Sequence, residues 1–147
     1  MRRLWAKGAF TGLLSGTFLG LFLKMIEITS GVKVYTLLLN VDYFPILKNY
    51  HLPELIEFVF HLIISAVLAV SLLLLIRKYR WNRFQIIVRT LLITFFKGVL
   101  LYPTTELSDR TPELTSISAI VFWLFGHLLY GLLLSVFFIK KGIHIDP

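Results

Sequence analysis

Cysteine is absent from the sequence, so disulfides and thiolate metal sites are excluded. Charge is scarce as well: 16% of residues are Asp, Glu, Lys or Arg, against roughly a quarter in soluble domains. Acidic residues are the rarer sign, 8 against 15 basic. Hydrocarbon fills the space instead. Hydrophobic residues make up 57% of the 147-residue chain, and mean hydropathy is +0.81. One soluble domain of this length cannot hide so much apolar surface, whereas a bilayer accepts it. The expected class is therefore all-α: a single integral membrane domain over 1–147.

Four segments are long enough to cross roughly 30 Å of hydrocarbon at about 1.5 Å per residue. They are 8–29, 54–76, 84–103 and 114–139. The third is the weakest of the four, because Arg89 and Lys97 interrupt it. The short basic N-terminus resembles a signal peptide, but no Ala-x-Ala-like site follows, so the first segment is expected to stay as an anchor. Basic residues sort by side. Arg2, Arg3, Lys7, Arg77, Lys78, Arg80, Arg83, Lys140 and Lys141 flank one face, nine in all. The other carries Lys33, Lys48 and Arg110 against Asp42, Glu54, Glu106, Asp109 and Glu113. The positive-inside rule then gives an antiparallel four-helix bundle with both termini in the cytoplasm. A net charge of +7 thus reports membrane orientation and not a nucleic-acid partner.

The outer segment 30–53 is apolar and carries Tyr35, Tyr43, Phe44 and Tyr50, with Pro45 and Pro53 as its breaks. That mixture suits an interfacial connector at headgroup level, the alternative being a re-entrant element that gates a substrate. The second outer loop, 102–113, is turn-rich: Pro103 is expected to end the third span, and Ser or Thr near 111–115 to start the fourth. No internal repeat marks an inverted-repeat transporter.

Glycine recurs at every fourth position of the first span: Gly8, Gly12, Gly16 and Gly20. Residues four apart share a helical face, so the stripe is a groove in which another helix approaches closely. Ala119, Gly131 and Ser135 give the last span a milder small-residue face, and Gly126 and Gly131 join the expected helix-packing glycines. The stripe's partner is left open among the second span, the fourth span and a second subunit.

Depth in the membrane groups the polar residues. Lys24 and Glu27 lie near the outer end of the first span, three residues apart and able to pair. Glu57 and His61 share a face of the second span, and Lys97 lies in the outer half of the third. His127 falls near the middle of the fourth, while Arg89 reaches toward the cytoplasmic side. Ionisable groups at such depths face a bundle interior or a water-filled cavity. Two readings follow: an outward vestibule with Glu57 and His61 as titrating partners, or a neutralised network joining helices. No metal or cofactor is expected. Glu54, Glu57 and His61 line one face, but neither the di-iron Glu-x-x-His pairing nor His-Glu-x-x-His is present, and the histidines are dispersed at 51, 61, 127 and 144. No nucleophile elbow accompanies the Ser, Thr and His residues, so an enzyme is not expected.

The run GLLSGTFLGLFLKMIE, with Gly12 and Gly16 ahead of Lys24 and Glu27, resembles the first span of the YagU-like small inner-membrane proteins of bacteria. FHLIISAVLAV around His61, YPTTELSDRTPE after a phenylalanine-rich third span, and FGHLLYGLLL with its Gly126-His127 follow in the same order. The resemblance covers most of the chain. It departs after the first span, where the family carries a larger, proline-rich outer insertion and a Lys-to-Glu spacing one residue longer. It implies a multi-pass protein of the bacterial cytoplasmic membrane with a link to acid tolerance. Its most interesting matching positions are His61 and His127. Three functions remain in view: a component of envelope or acid-stress physiology, a small oligomeric proton, ion or solute channel or transporter, and a structural subunit docking another membrane protein through the glycine stripe. The partners expected are the lipid bilayer and either a second copy or another membrane protein.

Overall fold

A computed structural model describes residues 2–42, 44, 46, 47, 50 and 52–140. Lys48, Lys141, His51, His144, Tyr43 and Pro45, all used in the sequence reading, lie outside them. The described residues are helical, with no strand among them: α1 Arg2–Ser30, α2 Val34–Leu39, α3 Glu54–Lys78, α4 Arg83–Leu101 and α5 Ile117–Lys140. A 3-10 helix, Tyr102–Leu107, continues α4. Four of these stretches are long and apolar enough to cross a membrane: Arg2–Ser30, Glu54–Lys78, Arg83–Leu107 and Ile117–Lys140.

The helix ends follow local chemistry. At the end of α3, Arg80 adopts a left-handed φ of 50°, and Trp81 N–H donates to the Ile76 carbonyl at 3.1 Å. This is a Schellman cap, with Ile76 and Trp81 both buried in the core. Two residues on, Asn82 and Gln85 form a reciprocal capping box that starts α4. Arg89 stacks on the Trp81 ring, 4.9 Å from its centroid. Pro103 opens the 3-10 helix, having no N–H to continue the α-helical ladder. The last span begins at Ile117 and not at 114, because Ser116 is the residue whose hydroxyl accepts the Ala119 N–H, at 3.4 Å.

Packing does not follow chain order. α1 packs on α3 and on α5, and α5 packs on α4, whereas the consecutive helices α3 and α4 are not a packed pair. Neighbours therefore run α3, α1, α5, α4, and α2 lies across α1, α3 and α5. Large apolar side chains such as Phe10, Leu21, Ile63, Val67, Leu100 and Val121 face outward. An uncovered apolar surface of this extent is costly in water and suits a lipid surround. The segment after α1 turns inward, with Val34, Tyr35, Leu37 and Leu39 of α2 buried.

The glycine stripe is the α1–α3 seam. A Cβ on Gly8 would meet Val70; on Gly12, Ser65 and Ala66; on Gly16, Ser65 and Leu62; on Gly20, Phe58. Numbers fall along α3 as they rise along α1. The stripe is covered by the chain's own α3, so the reading of it as a docking face for another membrane protein gives way to an internal seam. Gly126 receives Leu19 and Leu23 of α1, and Gly131 faces Thr94 and Leu91 of α4. Gly98, not singled out from sequence, lets the His127 ring approach α4.

Candidate functional site

Where α3 and α4 stand apart, the bundle forms a partly open cavity of about 50 Å³, room for a few waters. Glu57, His61 and Ser65 of α3, Lys97 of α4, and Trp123, His127 and Tyr130 of α5 line it, with Asn40 beyond the end of α2. Four of the six polar residues grouped by depth, Glu57, His61, Lys97 and His127, thus share one cavity. His127 belongs with the others even though hydropathy placed it at mid-span.

Hydrogen bonds set the chemistry of each ring. His61 Nε2 lies 3.1 Å from the Gly16 carbonyl and His127 Nδ1 lies 2.9 Å from the Trp123 carbonyl. A carbonyl oxygen only accepts, so these two nitrogens carry the protons, and Nδ1 of His61 and Nε2 of His127 are left as acceptors. The Trp123 ring lies 4.4 Å from the His127 ring and is fixed by its own Nε1–H donating to the Gly98 carbonyl at 2.8 Å. Ser65 donates to the Gly12 carbonyl and meets the Tyr130 hydroxyl, each at 2.7 Å. The glycine that permits close approach thus also offers its carbonyl to the cavity wall.

Arg110 closes the outer side. Its guanidinium binds Glu57 Oε1 at 2.8 Å and the Asp42 carboxylate at 3.3 and 3.4 Å, joining the last loop, the segment after α2, and α3. The Glu57 carboxylate, hydrogen-bonded to it, raises the pKa of Arg110 above its ordinary value. Ser108 also donates to Asp42. Arg110 and Asp42 entered the sequence reading only as a charge count on the outer side. Their one legible signal was a lone arginine in an otherwise acidic loop.

The remaining two residues of the group lie outside the cavity. Lys24 and Glu27 do not pair. Lys24 Nζ bonds Glu54 Oε1 at 2.7 Å, and Glu27 accepts from the Thr36 N–H and hydroxyl at 2.8 and 2.7 Å. Both carboxylates thereby anchor α2: Tyr35 also donates to Glu54, at 2.8 Å. Burial, with that hydrogen bond, pushes the Tyr35 phenol well above its ordinary pKa. Contacts with Glu54 and Thr36 stand in place of the i, i+3 pair. Among the described residues no group of three His, Cys, Asp or Glu is arranged to hold a metal ion.

Comparison with protein families, with curated proteins and with solved structures gives no match.

Proposed function

We propose that the chain is a multi-pass protein of the bacterial cytoplasmic membrane, an antiparallel bundle with both termini inside, whose outer cavity responds to protons. The opposed numbering along the α1–α3 seam supports the antiparallel arrangement, and the basic flanks of Arg2–Ser30, Glu54–Lys78, Arg83–Leu107 and Ile117–Lys140 support the orientation. The observation that carries the function is the convergence of Glu57, His61, Lys97 and His127 from three helices on one cavity. Buried ionisable groups at membrane depth mark functional sites by default, and histidine changes charge nearest neutral pH. The physiological setting is envelope or acid stress, as the YagU-like resemblance implies. No enzymatic activity is proposed.

The experiment uses Trp123 as reporter. With Trp5 and Trp81 replaced by Phe, its fluorescence is expected to change between pH 7.5 and 4, and to lose that change in His127→Ala. A flat signal in folded protein removes the proton-responsive reading. A second reading, a small transporter or channel acting as an oligomer, is favoured by Thr11, Ser15 and Thr90, whose buried hydroxyls have no partner and leave polar steps along α1 and α4. Its test is proton and ion flux into liposomes at external pH 5 and 7.5. Flux above empty liposomes that falls in both His61→Ala and Glu57→Gln supports it; flux equal to empty liposomes refutes it for the ions tested.

A further inference from the structure

Within the cavity, two donors lack acceptors. Lys97 takes part in none of the three ion pairs among the described residues; Lys24 pairs with Glu54, and Arg110 with Asp42 and Glu57. It forms no hydrogen bond there either. Asn40 is 2% exposed. Its Oδ1 accepts from the Asp42 N–H at 3.2 Å, which orients the amide, and its Nδ2 has no partner. A buried donor left unmatched, as Asn40 Nδ2 is, is costly, and the half-buried Lys97 is a cation with no acidic partner among the described residues. Glu57, the one carboxylate lining the cavity, is already bound by Arg110.

Beside this cavity lies an apolar groove of about 440 Å³, formed by Ile63 with Phe44, Ile46 and Leu47. Val41, Phe60 and Ile64 line both spaces, so the two adjoin at these three side chains. The groove lies on the outward side of α3, where Ile63 is 52% exposed and lipid is the neighbour.

We propose that the two spaces together bind a medium- or long-chain monocarboxylic acid taken laterally from the bilayer, its carboxyl group at Lys97 and Asn40 and its hydrocarbon tail in the groove. A carboxyl group offers two oxygens to the two donors. One available cation and a cavity of a few waters fit a planar, monovalent head better than a phosphoryl group. The free nitrogens of His61 and His127 accept a hydrogen bond from the neutral acid form, or hold its proton as imidazolium against the carboxylate; the proton count is the same either way. This assignment rests on the reading of the cavity as a proton-responsive site and adds its ligand.

The test is binding of carbon-13-carboxyl-labelled octanoate, acetate and chloride to the full chain in a neutral detergent, followed by the carboxyl resonance and by Trp123 fluorescence. Each buried methylene strengthens binding roughly fourfold, so octanoate is expected to bind saturably and at least about tenfold more tightly than acetate. Lys97→Met is expected to weaken octanoate at least about tenfold. Ile63→Trp, which fills the groove from the lipid side, is expected to weaken octanoate and leave acetate unchanged. Equal affinity for octanoate and acetate, or displacement of octanoate by equimolar chloride, overturns the proposal in favour of a plain anion site. Octanoate binding that survives Lys97→Met also overturns it, as partition into apolar surface. The acetate–octanoate comparison on unmodified protein stands even if a variant fails to fold. Failure here with the pH response of Trp123 intact removes the ligand and leaves the proton-responsive reading; loss of both removes the site.

Discussion

Replacing Gly12 by alanine adds one methyl group at the tightest backbone crossing in the bundle. That Cβ would lie 2.6 Å from the Ser65 carbonyl oxygen and 2.7 Å from the Ala66 Cα. Both atoms belong to the α3 backbone, so no rotamer change relieves the clash and the helices must separate. Separation also stretches the Ser65–Gly12 hydrogen bond of 2.7 Å, worth about 0.6 kcal/mol in a membrane interior. Overpacking costs about 1–3 kcal/mol, set against a helix-propensity gain of up to about 1 kcal/mol. The net expectation for Gly12→Ala is a loss of about 1–2.5 kcal/mol. Gly20→Ala is the control on the same stripe. Its Cβ would come 2.5 Å from Phe58 Cε2, the far end of a side chain that can swing toward lipid. Its expected effect is within about 0.5 kcal/mol of zero. Equilibrium unfolding in mixed maltoside–dodecyl sulfate micelles, followed by tryptophan fluorescence, measures both. Equal stability of Gly12→Ala and wild type, or a larger loss at Gly20, refutes the α1–α3 register and with it the position of Ser65 in the cavity wall.

Arg110→Gln strands Glu57, whose side chain is 8% exposed, and is expected to cost about 1–2 kcal/mol once the exposed part of the guanidinium is discounted for screening; adding Glu57→Gln restores most of it in the same assay. Lys24→Met, which breaks an exposed pair, is expected to stay within about 0.5 kcal/mol of wild type. Because the chain has no cysteine, single-cysteine labelling reads topology directly: Asp109→Cys reacts with an impermeant maleimide in intact cells and Arg80→Cys only after permeabilisation, and the reverse pattern inverts the proposed orientation. The raised pKa of Tyr35 makes the native state hold a proton that the unfolded chain releases near pH ~10. Stability is therefore expected to fall as pH rises beyond that value, since the native state then binds more protons than the unfolded one. Tyr35→Phe should flatten that part of the pH–stability profile, and an unchanged slope disposes of the Tyr35–Glu54 contact as its cause.

Hydropathy and charge alone placed four long apolar helices, because crossing hydrocarbon demands length and apolarity in a local run that no distant residue can supply. The glycine period marked a close-packing face for the same reason: which residues share a helix face is a local matter. Boundaries were less legible. Ser116, and not a residue nearer 111–115, caps α5, since several hydroxyls in that loop were equally plausible until one met the Ala119 N–H. Partners were not legible at all. The rotation of each helix about its axis decides whether Gly12 meets α3 or α5, and hydropathy does not encode rotation in a solvent that is apolar on every side. The polar residues divide for the same reason. Lys24 and Glu27 are neighbours in sequence, yet Glu54 and Thr36 hold them at the rim, while Glu57, His61, Lys97 and His127 meet only because α3 and α4 are kept apart by α1 and α5. Local composition determined four helices long and apolar enough to cross a membrane, with costly polar groups inside them. Tertiary structure decided which of those groups face one another, since hydrogen bonds and ion pairs between helices depend on register and rotation that a one-dimensional pattern does not contain.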